Sequence, residues 1–278
     1  MKTKRVLLLS MLFFLVLSFH LTGSSADTYF NKGIAYILIK DASLAQVNME
    51  KYFNINPSPV LWSGFRMLIK GDAPGATNRF RDYLNINHRS FHALVGIAMS
   101  TAHMEVSNAL ELLQRALRLN PKCSSAYLCQ GMEYMNKKNY PLAESNLRRA
   151  LGLHYTPEYK IILAQMFLLL NRPREAVNLL EREVNNFPEN FHFNFLLARG
   201  YYKLDKLPDA GKYIEAALKI DPGNNDAKLL MSKYLVGVGD IKRAAALLKG
   251  LKFEEYNKEY IRTYAYVLLE LRERRVEK

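Results

Sequence analysis

Residues 191–222 read FHFNFLLARGYYKLDKLPDAGKYIEAALKIDP. Leu197, Ala198 and Tyr201 recur at the three-to-four-residue spacing that puts side chains on one face of a helix. Ala210, Ile214, Ala217 and Leu218 repeat that spacing a dozen residues on. Pro222 ends the second run, because proline has no N–H to give and its ring clashes with the preceding turn. The stretch therefore predicts two short amphipathic helices joined by a tight turn. One such hairpin cannot bury its own apolar face and needs copies of itself on either side.

The copies are present. With Ala210 as the marker, the same local pattern recurs at Ala45, Ala76, Ala109, Ala143, Ala176 and Ala244, in steps of 31, 33, 34, 33, 34 and 34 residues. Twelve residues before the marker stands a small residue: Gly33, Gly64, Gly131, Ala164, Ala198 and Ser232. The third copy has Gly96, one residue off, which predicts a turn one residue longer. Four residues after the marker comes a larger apolar side chain: Met49, Phe80, Leu113, Leu147, Leu180, Ile214 or Leu248. Small residues at the first two places let the two helix backbones approach, and a larger side chain there would push the hairpin open. Asn56-Pro57, Asn120-Pro121 and Asp221-Pro222 break the chain after the second helix, as does Pro188.

This constellation resembles the tetratricopeptide repeat (TPR) family: a small residue and an aromatic in helix A, an alanine and a large apolar residue in helix B, and Asn-Pro or Asp-Pro at the end. The resemblance implies an all-α fold, a right-handed α-solenoid of about seven helix-turn-helix repeats. The repeats are expected at 27–56, 57–88, 89–122, 123–155, 156–189, 190–223 and 224–258. No Gly/Ser/Pro-rich linker separates them, so the sequence predicts one solenoid domain. In residues 259–278, Tyr260, Tyr264, Val267, Leu268 and Leu271 form one stripe, backed by Arg262, Glu270, Arg272, Glu273, Arg274 and Arg275. That pattern predicts a polar-backed helix capping the solenoid.

Residues 1–26 have the parts of a secretory signal. Lys2, Lys4 and Arg5 give a positive start, Val6 to Phe19 is apolar apart from Ser10 and Ser18, and Ser24 and Ala26 stand at the −3 and −1 places of a cleavage site. Cleavage is expected between Ala26 and Asp27, leaving an exported, periplasmic or cell-envelope protein. The alternative is an uncleaved N-terminal anchor, the only route to the membrane that the sequence offers. The net charge is +13, and falls to +10 without the first 26 residues. The basic residues are interspersed with acids, without the block that tracks a phosphate backbone, so no nucleic-acid partner is expected.

Chemistry-bearing clusters are sparse. Cys123 and Cys129 are too few for a disulfide framework and read as two packed thiols. His88 and His92 are four apart but have no carboxylate or thiol at ligand spacing. No phosphate-cradling glycine loop or nucleophile–base pair stands out. No catalytic residues, cofactor or metal are expected, and the reading is not an enzyme.

What remains is the concave face. In the family, helix A lines a groove that holds ligands, and its places 2, 5, 9 and 12 share that face. By this resemblance the groove consists of Phe30, Ile34 and Ile37; Leu61, Trp62, Phe65 and Leu68; Leu128, Met132 and Met135; Gln165; Phe195, Arg199, Tyr202 and Lys203; and Lys233. Its N-terminal part is apolar and its C-terminal part mixes aromatics with cations. The family's clamp for a C-terminal carboxylate uses Lys and Asn at corresponding places of neighbouring repeats, and the early repeats here lack them. The expected ligand is an amphipathic helix or extended segment of another exported protein, with acidic groups toward the sixth and seventh copies. Alternatively, tight curvature buries the apolar residues against one another. The functions open at this point are an adaptor for a larger envelope assembly, a scaffold or regulator of a separately encoded envelope enzyme, and a binder of an anionic polymer.

Overall fold

The computed structural model describes residues 25–102, 108–249, 251 and 258–276. The apolar N-terminal run and His103 lie outside the described residues. The described residues form fifteen α-helices and no strand. In order they are α1 (Ser25–Leu38), α2 (Ala42–Ile55), α3 (Pro59–Ile69), α4 (Ala73–Ile86), α5 (Phe91–Thr101), α6 (Ala109–Leu119), α7 (Ser124–Asn136), α8 (Tyr140–Leu153), α9 (Pro157–Leu169), α10 (Pro173–Asn186), α11 (Phe191–Lys203), α12 (Leu207–Ile220), α13 (Asn225–Gly237), α14 (Ile241–Lys249) and α15 (Lys258–Val276).

Six of the hairpin turns are made the same way. The residue five before the alanine marker has a positive φ in six copies: Lys40, Gly71, Lys138, Asn171, Asp205 and Gly239. This left-handed residue reverses the chain, and the next amide reaches back five residues to helix A, as in Asp41 N to Tyr36 O and Asp240 N to Leu235 O. That next residue then often caps helix B. The side chains of Asp41, Asp72 and Asn139 accept from the amides of Leu44, Gly75 and Leu142.

All seven marker alanines are buried, at most 1% exposed, as are all seven large apolar residues four places later. The reason for the small residue in helix A is local. A Cβ on Gly33 would lie 2.8 Å from Met49, one on Gly64 2.5 Å from Phe80, and one on Gly131 2.6 Å from Leu147. The large side chain of helix B thus fills the space that the glycine of its own helix A leaves. The third copy differs. Gly96 would meet Phe80 of the preceding hairpin at 2.5 Å, so one ring occupies two glycine notches. In this copy α6 starts at its marker, Ala109, rather than three residues before it.

The chain divides into two compact units, residues 1–162 and 163–278, with the boundary inside α9. The sequence predicts one domain because nothing in its composition changes there.

In the first unit, α1 crosses back over the helices of later hairpins and touches α7. Phe30 drives the closure. Its ring lies 5.0 Å from Tyr52, 5.6 Å from Phe65 and 4.5 Å from His92, reaching α2, α3 and α5. A polar clasp fixes the other face. Tyr36 donates its hydroxyl to Glu158 Oε1 at 3.2 Å, Lys32 Nζ lies 3.3 Å from the same oxygen, and Thr28 Oγ1 meets His154 Nε2 at 3.3 Å.

The second unit stacks its hairpins through similar notches. Gly200 of α11 faces Val177 of α10, and Gly211 of α12 faces the ring of Tyr234 of α13. Its end is closed by α15. Val267 is fully buried with Leu229, Leu235, Ile241, Ala244, Leu248 and Leu251, and Tyr260 and Tyr264 pack against them. The polar-backed cap needs correction. Leu268 is turned outward, about half exposed, with Ile261, Tyr266 and Leu269. Val267 faces the core, and Leu268, a 100° rotation further round the helix, faces out.

Candidate partner-binding surfaces

The expected groove residues separate into two groups. Phe30, Ile34, Leu61, Phe65 and Leu128 are buried, none more than 3% exposed. This corrects their placement on an open groove. The α1 helix lies across the neighbouring A helices, and these side chains are the core it seals. Met135 is half-buried, as is Trp62, whose ring rests 5.2 Å from Phe53.

Three more expected groove residues, Ile37, Leu68 and Met132, are half-buried and open onto a pocket of about 540 Å³ within the first unit. The C-terminal ends of α1, α3, α5 and α7 converge on it.

In the second unit every expected residue reaches solvent. Gln165, Phe195, Arg199, Tyr202 and Lys233 are half-buried, and Lys203 is exposed. Helix α11 builds most of this face. Asn190 caps it by accepting from the Phe193 amide, and Leu196, Leu197 and Ala198 anchor its inner side. The outer side is an aromatic ledge. Phe191 and Phe195 stack with centroids 5.4 Å apart, and the Arg199 guanidinium lies 5.7 Å from the Phe195 centroid. Arg199 makes no ion pair among the described residues. Lys203 Nζ donates to Asn171 Oδ1 at 3.2 Å, one hairpin back. Such a ledge offers flat apolar area beside positive charge, which suits an acidic, partly apolar segment.

Titration shifts concentrate in the first unit's core rather than on this ledge. Desolvation lowers the His92 imidazole to about 4. Its Nε2 lies 3.1 Å from the Tyr52 hydroxyl. Burial first, then Asp27 and Tyr83, push Tyr52 up to about 12, so Tyr52 donates and His92 accepts. Burial raises Cys129, and Cys123 as well. Both thiols are free and buried, which matches their reading as packed residues. Among the described residues no group of three His, Cys, Asp or Glu side chains could hold a metal ion. His88 is exposed in a turn while His92 faces the aromatic core, so the pair does not converge.

The clasp residues Lys32, Tyr36 and Glu158 escaped the sequence reading. Tyr36 and Glu158 are 122 residues apart, and nothing local marks them as partners. Glu133 carried a faint signal, an acid between Met132 and Met135 on an otherwise apolar face.

Comparison with known proteins agrees with this architecture. Residues 192–242 match the family model described as the Fis1 C-terminal tetratricopeptide repeat. The chain has the all-α repeat fold of tetratricopeptide repeat proteins. It is 26% identical over 151 residues to anaphase-promoting complex subunit 3 of Schizosaccharomyces pombe, a match covering 53% of this chain and 22% of that protein. The TPR fold superposes on a structure of the APC/C hetero-tetramer Cut9–Hcn1 with a TM-score of 0.68 at 16% identity, covering 87% of this chain and 54% of that one. It superposes on Pseudomonas aeruginosa PilF with a TM-score of 0.62 at 20% identity, covering 79% of this chain and 96% of that one. The chain spans about a quarter of the length of the curated relatives it matches.

Proposed function

We propose that the protein is a non-enzymatic scaffold that holds a protein partner on the α11 ledge of its second unit. The observation that carries this is the accessible row of Phe195, Arg199, Tyr202 and Lys203 on a helix whose other side is core. The partner segment is acidic and partly apolar: its carboxylates meet Arg199 and Lys203, and its apolar side chains lie on Phe191 and Phe195. TPR relatives that are subunits of multi-protein assemblies support the scaffold reading.

The N-terminal segment gives the setting. Residues 1–26 combine a basic start, an apolar run and a small-residue cleavage site, which supports export to the cell envelope with an exported partner. Cleavage after Ala26 leaves Asp27 in the first turn of α1, where its charge complements the helix dipole. Intact mass of the protein recovered from the envelope fraction checks this: a chain beginning at Asp27 supports it, and recovery of the full chain from the cytosol contradicts it.

Charge reversal tests the partner site. Arg199→Glu with Lys203→Glu should reduce retention of the native partner by at least about tenfold while the helical content is unchanged. Retention by that variant equal to the unaltered chain would contradict the site. A steep, sequence-independent salt dependence, together with retention of any anionic polymer, would favour the polymer-binding reading instead.

A further inference from the structure

The first unit contains a feature that a scaffold does not need. The pocket of about 540 Å³ is walled mainly by apolar side chains, among them Ile37, Leu68, Met99, Leu113 and Met132. Its size falls within the range of small-molecule sites, and an apolar wall with few polar groups is their usual composition. One ionisable side chain of the wall is deep in the protein. Glu133 is 5% exposed, and its Oε2 is buried with no hydrogen-bond partner. The other oxygen meets Lys137 Nζ at 3.7 Å, outside normal hydrogen-bond length, and that lysine is half exposed. A carboxylate buried beside apolar space with one oxygen unused is costly, and native proteins keep such a group where something else satisfies it. Two other polar members of the wall do not supply that partner. Ser100 is already bonded to Thr77 Oγ1 at 2.6 Å and to Ile97 O at 3.0 Å. Lys40 stands exposed at the solvent edge.

We propose that this pocket binds a small lipophilic amine, with its apolar body among Ile37, Leu68, Met99, Leu113 and Met132 and its ammonium group on the Glu133 carboxylate. The carboxylate turns its buried, unused oxygen toward the pocket to accept from the ammonium, which neutralises a charge that Lys137 holds loosely. The apolar body displaces water from surface that gains nothing from being wet. A carboxylic acid of the same size is disfavoured, because its charge would approach Glu133, and the cation at the rim, Lys40, is solvated.

The test uses the full chain and three probes of equal length: decylammonium, 1-decanol and decanoate, titrated below their aggregation limits at neutral pH. Decylammonium is expected to bind with one-to-one stoichiometry and about tenfold more tightly than decanol, with decanoate weakest. Glu133→Gln keeps the shape and removes the charge, so it should bring decylammonium and decanol to equal affinity. Ala42→Trp places a ring at the exposed rim of the pocket and should weaken all three while leaving partner retention on α11 unchanged. The proposal is overturned if no probe saturates, if decanoate binds as tightly as decylammonium, or if Glu133→Gln leaves the preference for the amine intact. Circular dichroism of both variants establishes that they are folded before titration.

Discussion

The hairpin turn shows how one residue's backbone sets a repeat. The positive φ five places before the marker falls on glycine twice, on Asn171 and Asp205 once each, and on Lys40 and Lys138. A lysine with a Cβ in that conformation costs about 1 kcal/mol relative to glycine. Lys138→Gly should therefore raise the urea unfolding free energy by roughly 0.5–1 kcal/mol, since the Lys138 side chain is exposed. An unchanged or lowered midpoint would contradict that reading of the turn. The turn position itself was not legible in the sequence, because lysine, glycine, asparagine and aspartate share no side-chain pattern. The alanine markers were legible, because close helix contact admits no larger residue at any of the seven.

His92 makes a second residue-scale prediction. It is neutral in the folded chain, accepting from Tyr52 and ringed by Phe30 and Phe91. Its folded pKa of about 4 lies below the unfolded value of 6.5. The unfolded chain therefore binds more protons between these values, and stability is lost as pH falls from about 6.5 toward about 4. His154, facing Thr28, is shifted in the same direction by burial. Urea unfolding at steps between pH 7 and pH 4 should show a decline of up to roughly 3 kcal/mol from His92, and His92→Phe should flatten it. A profile unchanged by that substitution would remove His92 from the account.

At the scale of elements, α1 is what closes the first unit. The helical period of α1 was legible, and so was the apolar face with Phe30, Ile34 and Ile37. Which neighbour that face meets was not. The sequence places α1 beside α2 and α3, but Tyr36 and Lys32 also find Glu158 at the start of α9. That long-range clasp depends on superhelical curvature, which accumulates from small rotations per repeat that no single motif encodes. Glu158→Ala would remove the carboxylate that accepts from the Tyr36 hydroxyl and faces the Lys32 ammonium. The expected cost is about 1–3 kcal/mol, reduced by the partial exposure of Lys32. Amide hydrogen exchange should show faster exchange in α1 before any change in α11, and equal acceleration in both would contradict a local clasp. The cap α15 carries a similar lesson. Its inward stripe of Tyr260, Tyr264 and Val267 followed from spacing, while the outward Leu268 and Leu269 show that a helix with apolar residues on two faces cannot be oriented from period alone.

For the whole molecule, the same repeat serves two ends. In the first unit the A helices spend much of their apolar faces on one another, so Phe30, Ile34, Leu61, Phe65 and Leu128 of the expected groove are core, while Ile37, Leu68 and Met132 line the pocket. In the second unit the A-helix face of α11 keeps aromatic and cationic side chains at the surface. Apolar residues on the concave face were legible as such, but burial against a partner and burial against the chain itself follow from the same pattern. The mixed composition of α11 was the more informative signal, because Arg199 and Lys203 would not be sealed in a core. A photoreactive phenylalanine analogue placed at position 195, and separately at position 65, tests this division directly. Illumination in the native host should join position 195 to one discrete partner protein and join position 65 only to its own chain. A partner crosslink from position 65, or none from position 195, would contradict it.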